Sequence, residues 1–136
     1  MDVAVIQTGT ANTASVLASF RRLGATPTVT ADPGDVRTAD RIVLPGVGAF
    51  AAAMEQLQGL DLIEPLRERI TDGRPTLAIC LGLQLLLEGS QESPDIVGLG
   101  VIPGKATRFP DDVLVPQLGW NNIAVSSGSK VLADGY

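Results

Sequence analysis

The stretch Thr76-Leu77-Ala78-Ile79-Cys80-Leu81-Gly82-Leu83-Gln84 decides how this chain is read. Its first half is a short apolar strand that follows the breaker Gly73-Arg74-Pro75, and its second half opens a helix expected over Leu81 to Glu88. A cysteine on a sharp strand-to-helix turn projects its thiol above the edge of a sheet, and a small neighbour such as Gly82 lets the backbone turn that tightly. Unpaired amides at the start of a helix favour negative charge beside them, so the Leu81 N–H can face a developing oxyanion. Cys80 is therefore the candidate nucleophile. A lone cysteine ending an apolar strand is by itself commonly an inert buried hydrophobe. Cys, Gly and Gln at this spacing, spread over strand, turn and helix, are what give it chemical meaning.

Outward from this stretch the same alternation recurs. Val3-Ala4-Val5-Ile6 is an unbroken apolar run of the kind that a sheet covers on both faces, and Gly9 punctuates it. Asn12 or Thr13 can cap the next segment, in which Val16, Leu17, Phe20 and Leu23 recur at helical spacing before Gly24 stops it. Thr26 to Thr30 reads as a second strand, and Arg41 to Leu44 as a third that ends abruptly in Pro45-Gly46-Val47-Gly48. Helices are expected from about Ala49 to Leu57 and from about Leu62 to Ile70. Beyond Gly89 the rhythm changes to short strand-like pieces: Val101-Ile102, Ala106 to Phe109, Val113 to Leu118 and Asn121 to Val125. Together these elements predict a single α/β domain over residues 1–136, with a doubly wound, mostly parallel central sheet and an antiparallel addition in the last third.

Parallel strands bring their C-terminal ends to one edge, so the Pro45-Gly46-Val47-Gly48 loop is expected on the same edge as Cys80. Acyl transfer needs donors aimed at the oxygen of a tetrahedral intermediate, and glycines let a loop present backbone N–H groups without interference from Cβ. Gly46, Val47 and Gly48, with Leu81, are thus candidate oxyanion donors. Pro-Gly-x-Gly alone is an ordinary turn; its weight comes from the nucleophile turn beside it.

Composition narrows the choice of chemistry. In 136 residues, 45% of them hydrophobic, there is material for one core but not for two full domains. Fifteen acidic and ten basic residues give a net charge of −5, with the basic ones scattered, which argues against nucleic acid as a partner. Met1-Asp2-Val3 is not a basic leader, and the longest apolar stretch, Thr76 to Leu87, is too short to span a bilayer, so a cytoplasmic protein with no membrane contact is expected. One cysteine excludes an internal disulfide and fits a reducing compartment. With no histidine and one cysteine, no metal site is expected. No Gly-Lys-Ser/Thr phosphate loop occurs, and Gly98-Leu-Gly-Val-Ile-Pro-Gly104 reads as a turn because Pro103 interrupts any following helix, so no cofactor is expected.

Four segments, in order along the whole chain, carry a resemblance. Leu44-Pro-Gly-Val-Gly-Ala-Phe50, Ile79-Cys-Leu-Gly-Leu-Gln-Leu85, Gly98 to Gly104 with Arg108-Phe109, and Leu118-Gly-Trp-Asn121 are similar to the glutaminase subunits of imidazole glycerol phosphate synthases, within the class I glutamine amidotransferases. The Cys-x-Gly-x-Gln element indicates only the superfamily; Pro-Gly-Val-Gly-Ala-Phe and Gly-Trp-Asn narrow it. The resemblance implies hydrolysis of L-glutamine, with ammonia passed to a (β/α)8-barrel cyclase subunit of histidine biosynthesis. By position, Cys80 resembles the family nucleophile, Gly46, Val47 and Gly48 its oxyanion loop, Gln84 a contact to bound glutamine, and Asn12 and Trp120 partner-facing residues. From the residues alone, Asn12 reads equally as a helix cap and Trp120 as a core or rim aromatic.

Departures accompany the resemblance. Gln7-Thr8-Gly9-Thr10-Ala11-Asn12 replaces an acidic-aromatic-Gly-x-Gly-Asn opening, Gln117 stands where a histidine is common, and Ala78 stands for a glycine. The family pattern completes a triad with a histidine and a glutamate after a region resembling Ala133-Asp-Gly-Tyr136; with zero histidines, a C-terminally incomplete domain is expected, inactive or nearly so by itself. No acidic residue is nominated as a substitute base, since Glu88, Glu92 and Asp95 read as solvated surface. Two other readings stay open: a different class I amidotransferase subunit, and a catalytically incomplete module that only binds a partner or small amide.

Overall fold

A computed structural model describes residues 1–9, 11–116, 118–125 and 128–129. The expectations that fall on Thr10, Gln117 and Ala133 to Tyr136 lie outside these residues.

Four parallel strands form the central sheet: β1 (Asp2–Ile6), β2 (Thr26–Thr30), β3 (Ile42–Gly46) and β4 (Thr76–Cys80), in the order β2-β1-β3-β4. The chain leaves β1 toward one side to make β2 and returns to the other for β3 and β4, which is the doubly wound arrangement. Alternation along β1 explains why its run is apolar throughout. Val3 and Val5 join Val43 and Ala25 beneath Val16, Leu17 and Phe20 of α1 (Thr13–Arg22), while Ala4 and Ile6 face the larger core on the other side. That larger core takes Val36 from α2 (Pro33–Thr38), Phe50, Ala53, Met54 and Leu57 from α3 (Phe50–Gly59), and Leu66 from α4 (Ile63–Thr71). Leu81 and Leu85 of the short helix α5 (Leu81–Leu85) join it, as do Leu86 and Leu99 further along the chain.

The caps are local and legible. Asn12 accepts a hydrogen bond from Ser15 N at 3.3 Å and so starts α1, and Gly24, at φ 77°, ends it with Ala25 N donating to Phe20 O. α2 was not expected from the sequence; Asp32 caps it through Asp35 N at 2.9 Å and Pro33 occupies its first turn.

Arg69, fully buried on α4, donates to the carbonyls of Val36, Ala39, Asp40 and Pro75. It thereby ties the residues just ahead of β3 to those just ahead of β4. Burial pulls its guanidinium below the ordinary arginine range, Arg74 adds repulsion in the same direction, and Asp40 opposes both.

After the central sheet, β5 (Leu87–Ser90), β6 (Ser93–Val97) and β7 (Ile102–Ala106) form a second sheet in the order β6-β5-β7. An antiparallel pair is present, but it is made by β5 and β6, neither of which the sequence singled out as a strand, and β5 and β7 are parallel, so the sheet is mixed. Three expectations are corrected here. The helix after Cys80 stops at Leu85, and residues expected as its end enter β5. Val101-Ile102 and Ala106 to Phe109 are not two strands but the borders of β7. Among the described residues of 113–118 and 121–125 there is no strand; Leu114 and Leu118 are exposed and have no neighbouring strand to complete a ladder.

Candidate active site

The C-terminal ends of β1, β3 and β4 lie on one edge of the sheet, and each leads into a segment singled out in the sequence. Cys80 ends β4 at φ 55°, ψ −119°, a conformation that suits the first central residue of a type II′ turn and that side chains other than glycine's resist. Its side chain is exposed. Two glycines make room for the turn against β3. A Cβ on Gly82 would come within 2.0 Å of Leu44 O, and one on Gly46 within 2.8 Å of Gly82 N. Gly46 is paired with Cys80 in the β3–β4 register. Two glycines therefore let the strand carrying the loop and the turn carrying the thiol approach more closely than any side chain would allow.

The strand β3 runs through Pro45 and Gly46, two residues further than the sequence suggested, and only Val47 and Gly48 lie beyond it as loop before Ala49 leads into α3. Gly48 sits at φ 91° with open space around its Cβ position, so a side chain there would meet backbone strain rather than a clash. Val47 is half exposed. Leu81 buries its side chain in the larger core while its backbone follows the thiol directly, and Gln84 is exposed on α5. Cys80, Gly46 and Leu81 are thus brought together: the Leu81 Cβ lies 3.0 Å from where a Gly46 Cβ would be.

Asn12 and Trp120 take no part in this cluster. Asn12 is exposed and occupied as the α1 cap, which is the plain reading of that residue, and Trp120 is wholly exposed, so it is not a core aromatic.

Glu88, Glu92 and Asp95 are exposed, in line with their reading as surface, but that reading missed two contacts. Glu92 lies in the connection between β5 and β6, and its carboxylate accepts a hydrogen bond from Phe50 N at 3.4 Å, at the first residue of α3 after the glycine loop. Glu88 accepts from Gly104 N at 3.0 Å. Neither partner is near in sequence, so no spacing rule could have signalled them. Among the described residues no group of His, Cys, Asp and Glu side chains is placed to hold a metal ion, and no helix is long and apolar enough to cross a membrane.

An exposed cysteine at the end of a parallel strand, beside a glycine loop and the start of a helix, can attack an acyl carbon while backbone N–H groups face the oxygen. Comparisons with known proteins bear on which acyl group. Residues 4–113 match the family model described as glutamine amidotransferase class-I. The imidazole glycerol phosphate synthase subunit HisH of Methanothermobacter thermautotrophicus is 48% identical over 130 residues, covering 96% of this chain and 65% of that relative. The subunit of the same name in Streptococcus gordonii is 44% identical over 124 residues, covering 90% of this chain and 60% of that one. This chain therefore spans somewhat less than two thirds of the length of these curated relatives. A solved structure titled "Crystal structure of glutamine amidotransferase" superposes with a TM-score of 0.61 at 20% identity, over 73% of this chain and 52% of that one, which is a likeness of fold.

Proposed function

The chain belongs to the class-I glutamine amidotransferase family, and on that premise we propose that it is the nucleophile-bearing part of a glutaminase subunit of imidazole glycerol phosphate synthase, working in the cytoplasm in histidine biosynthesis. The observation that carries the reading is the strained turn at Cys80, fitted against the end of β3 by Gly46 and Gly82, in a chain whose relatives at 44% and 48% identity bear that subunit's name. Cys80 Sγ attacks the side-chain amide carbon of glutamine, and the C=O electrons move onto the oxygen. Amides of Val47, Gly48 and Leu81 are the nearby donors for that oxyanion, and Gln84 is available to the substrate from the exposed side of α5. Collapse expels ammonia and leaves a glutamyl thioester, which water hydrolyses to glutamate and free thiol. The ammonia passes to a (β/α)8-barrel cyclase subunit, in a heterodimer whose combined reaction is classed as a lyase, and Asn12 and Trp120 are the residues offered to that partner.

Expulsion of ammonia needs a proton at nitrogen, and these 136 residues contain no histidine to supply it. Glutamine turnover is therefore to be measured for this chain with the cyclase, and for the same chain extended by the C-terminal segment of the Methanothermobacter relative. We expect the extended form to be faster by about 10⁴ to 10⁶ in kcat, by analogy with removal of triad members elsewhere. Turnover by the 136 residues within about tenfold of the extended form would overturn the view that the acid–base group lies outside them. The absence of histidine also favours a second reading, a module that binds a partner without chemistry; that reading requires Cys80 to be no more reactive toward glutamine-like electrophiles than a free thiol.

A further inference from the structure

We infer that Glu92 is a positioning residue for the oxyanion loop: its carboxylate caps the start of α3 from across the fold and so holds the Val47 and Gly48 amides in place. The inference rests on the glutaminase reading above. α3 begins immediately after the loop, and its own cap position, Ala49, has no side-chain acceptor; no acidic residue occupies its first turn either. A helix start with four free N–H groups and no cap of its own frays readily, and fraying here would loosen the loop that precedes it.

Glu92 supplies the missing acceptor at Phe50 N, 3.4 Å away and 42 residues on. The side chain does not reach out from a loose loop. Glu92 N donates to the hydroxyl of buried Ser90 at 3.2 Å, Gln91 N donates to Ala106 O at 2.8 Å, and Gln91 Oε1 accepts from Arg108 N at 3.0 Å. The second sheet thus fixes the β5–β6 connection, and the connection fixes α3. Phe50, fully buried, anchors the other side of the same residue in the larger core. A carboxylate at a helix N-terminus is also electrostatically favourable.

The test reads loop geometry through two electrophiles. A chloroketone reacts with a thiolate through a tetrahedral oxyanion and gains from positioned N–H donors; iodoacetamide, a simple displacement, does not. The chloroketone is chosen with a carboxylate and no α-amino group, so that no contact between Glu92 and a substrate ammonium can enter the result. The ratio of Cys80 alkylation rates by the two reagents is measured in the intact chain, in Glu92→Ala and in Glu92→Gln, alongside amide hydrogen exchange at Phe50. We expect Glu92→Ala to lower the ratio on the order of tenfold and to speed exchange at Phe50, as loss of one helix cap implies, and Glu92→Gln, which keeps an acceptor, to restore both to within about twofold. An unchanged ratio in Glu92→Ala, or a Glu92→Gln chain as impaired as Glu92→Ala, overturns the assignment. An intact chain whose Cys80 shows no preference for the chloroketone over a free thiol overturns the glutaminase reading, and the Glu92 assignment with it.

Discussion

Asp61 and Cys80 are the two residues other than glycine, among those described, whose φ is positive, at 56° and 55°, yet the turns they make have opposite character. At Asp61 the hydrogen bonds account for the conformation. Leu62 N donates to Leu57 O at 2.9 Å and Asp61 N to Gln58 O at 3.1 Å, which is the Schellman pattern, with Leu57 and Leu62 both fully buried as its apolar contact. The same two bonds end α1 at Gly24 and α4 at Gly73. Asp61 stands where those helices use glycine, and a short polar side chain tolerates that position at modest cost. At Cys80 no such bonding makes the turn. Its strain is held by β4 on one side and by the close fit of Gly46 and Gly82 on the other. Positive φ therefore marks a helix stop in one place and a stored constraint that exposes a reactive atom in the other.

Removing the thiol is the harshest way to test that contrast. In a form of the protein that hydrolyses glutamine, Cys80→Ser is expected to lower ammonia release by roughly 10⁴ or more, because the hydroxyl is a far weaker nucleophile without a matched base. Normal turnover in that variant would show that the strained turn serves structure alone, as at Asp61.

A smaller effect is expected from Gly48→Val. The added side chain meets open space but an unfavourable φ, so the loop should shift and kcat fall by about 10²-fold, with a lesser change in KM, if one donor is lost. A change confined to KM would make the loop a binding surface rather than a source of oxyanion donors.

Stability measurements probe the support of the turn. Gly82→Ala puts a methyl group into Leu44 O and should cost about 3 kcal/mol in chemical denaturation, through separation of α5 from β3. A loss below about 0.5 kcal/mol would mean that the close approach is not needed. Cys80→Gly has the opposite sign: relief of the strained backbone should add about 1 kcal/mol while abolishing alkylation. Smallest of all, Asp61→Gly should add roughly 0.5 kcal/mol and leave the chemistry of Cys80 untouched. Equal gains at the two sites would erase the energetic difference drawn between them.

Much of this molecule can be read from local pattern, because the elements that came out correctly are governed by neighbours in sequence. β2 and β4 have the expected limits, and α1 is framed by Asn12 and Gly24 as the sequence suggested. Errors occur where distant partners decide. The six residues of α2 contain one buried side chain, Val36, too few for a helical period to show, although Asp32-Pro33 was a cap signal that could have been used. Leu87 and Glu88 continue a helical pattern but are drawn into β5 by pairing with β7, from Ile102 onward. Apolar residues at 113–118 look like a strand and are not one among the described positions, since alternation states a preference and only a neighbouring strand can satisfy it.

What the sequence determined by itself is the alternation of strands and helices from β1 to Cys80, α2 apart, the glycines at Gly46, Gly48 and Gly82, and a cysteine at the end of a parallel strand, since each follows from short-range sterics and burial period. The register that sets Gly46 against Cys80, the positive φ of the cysteine, and the reach of Glu92 to the amide of Phe50 were decided only by tertiary structure. All three depend on groups far apart along the chain meeting within a few ångströms, and no local preference can impose that.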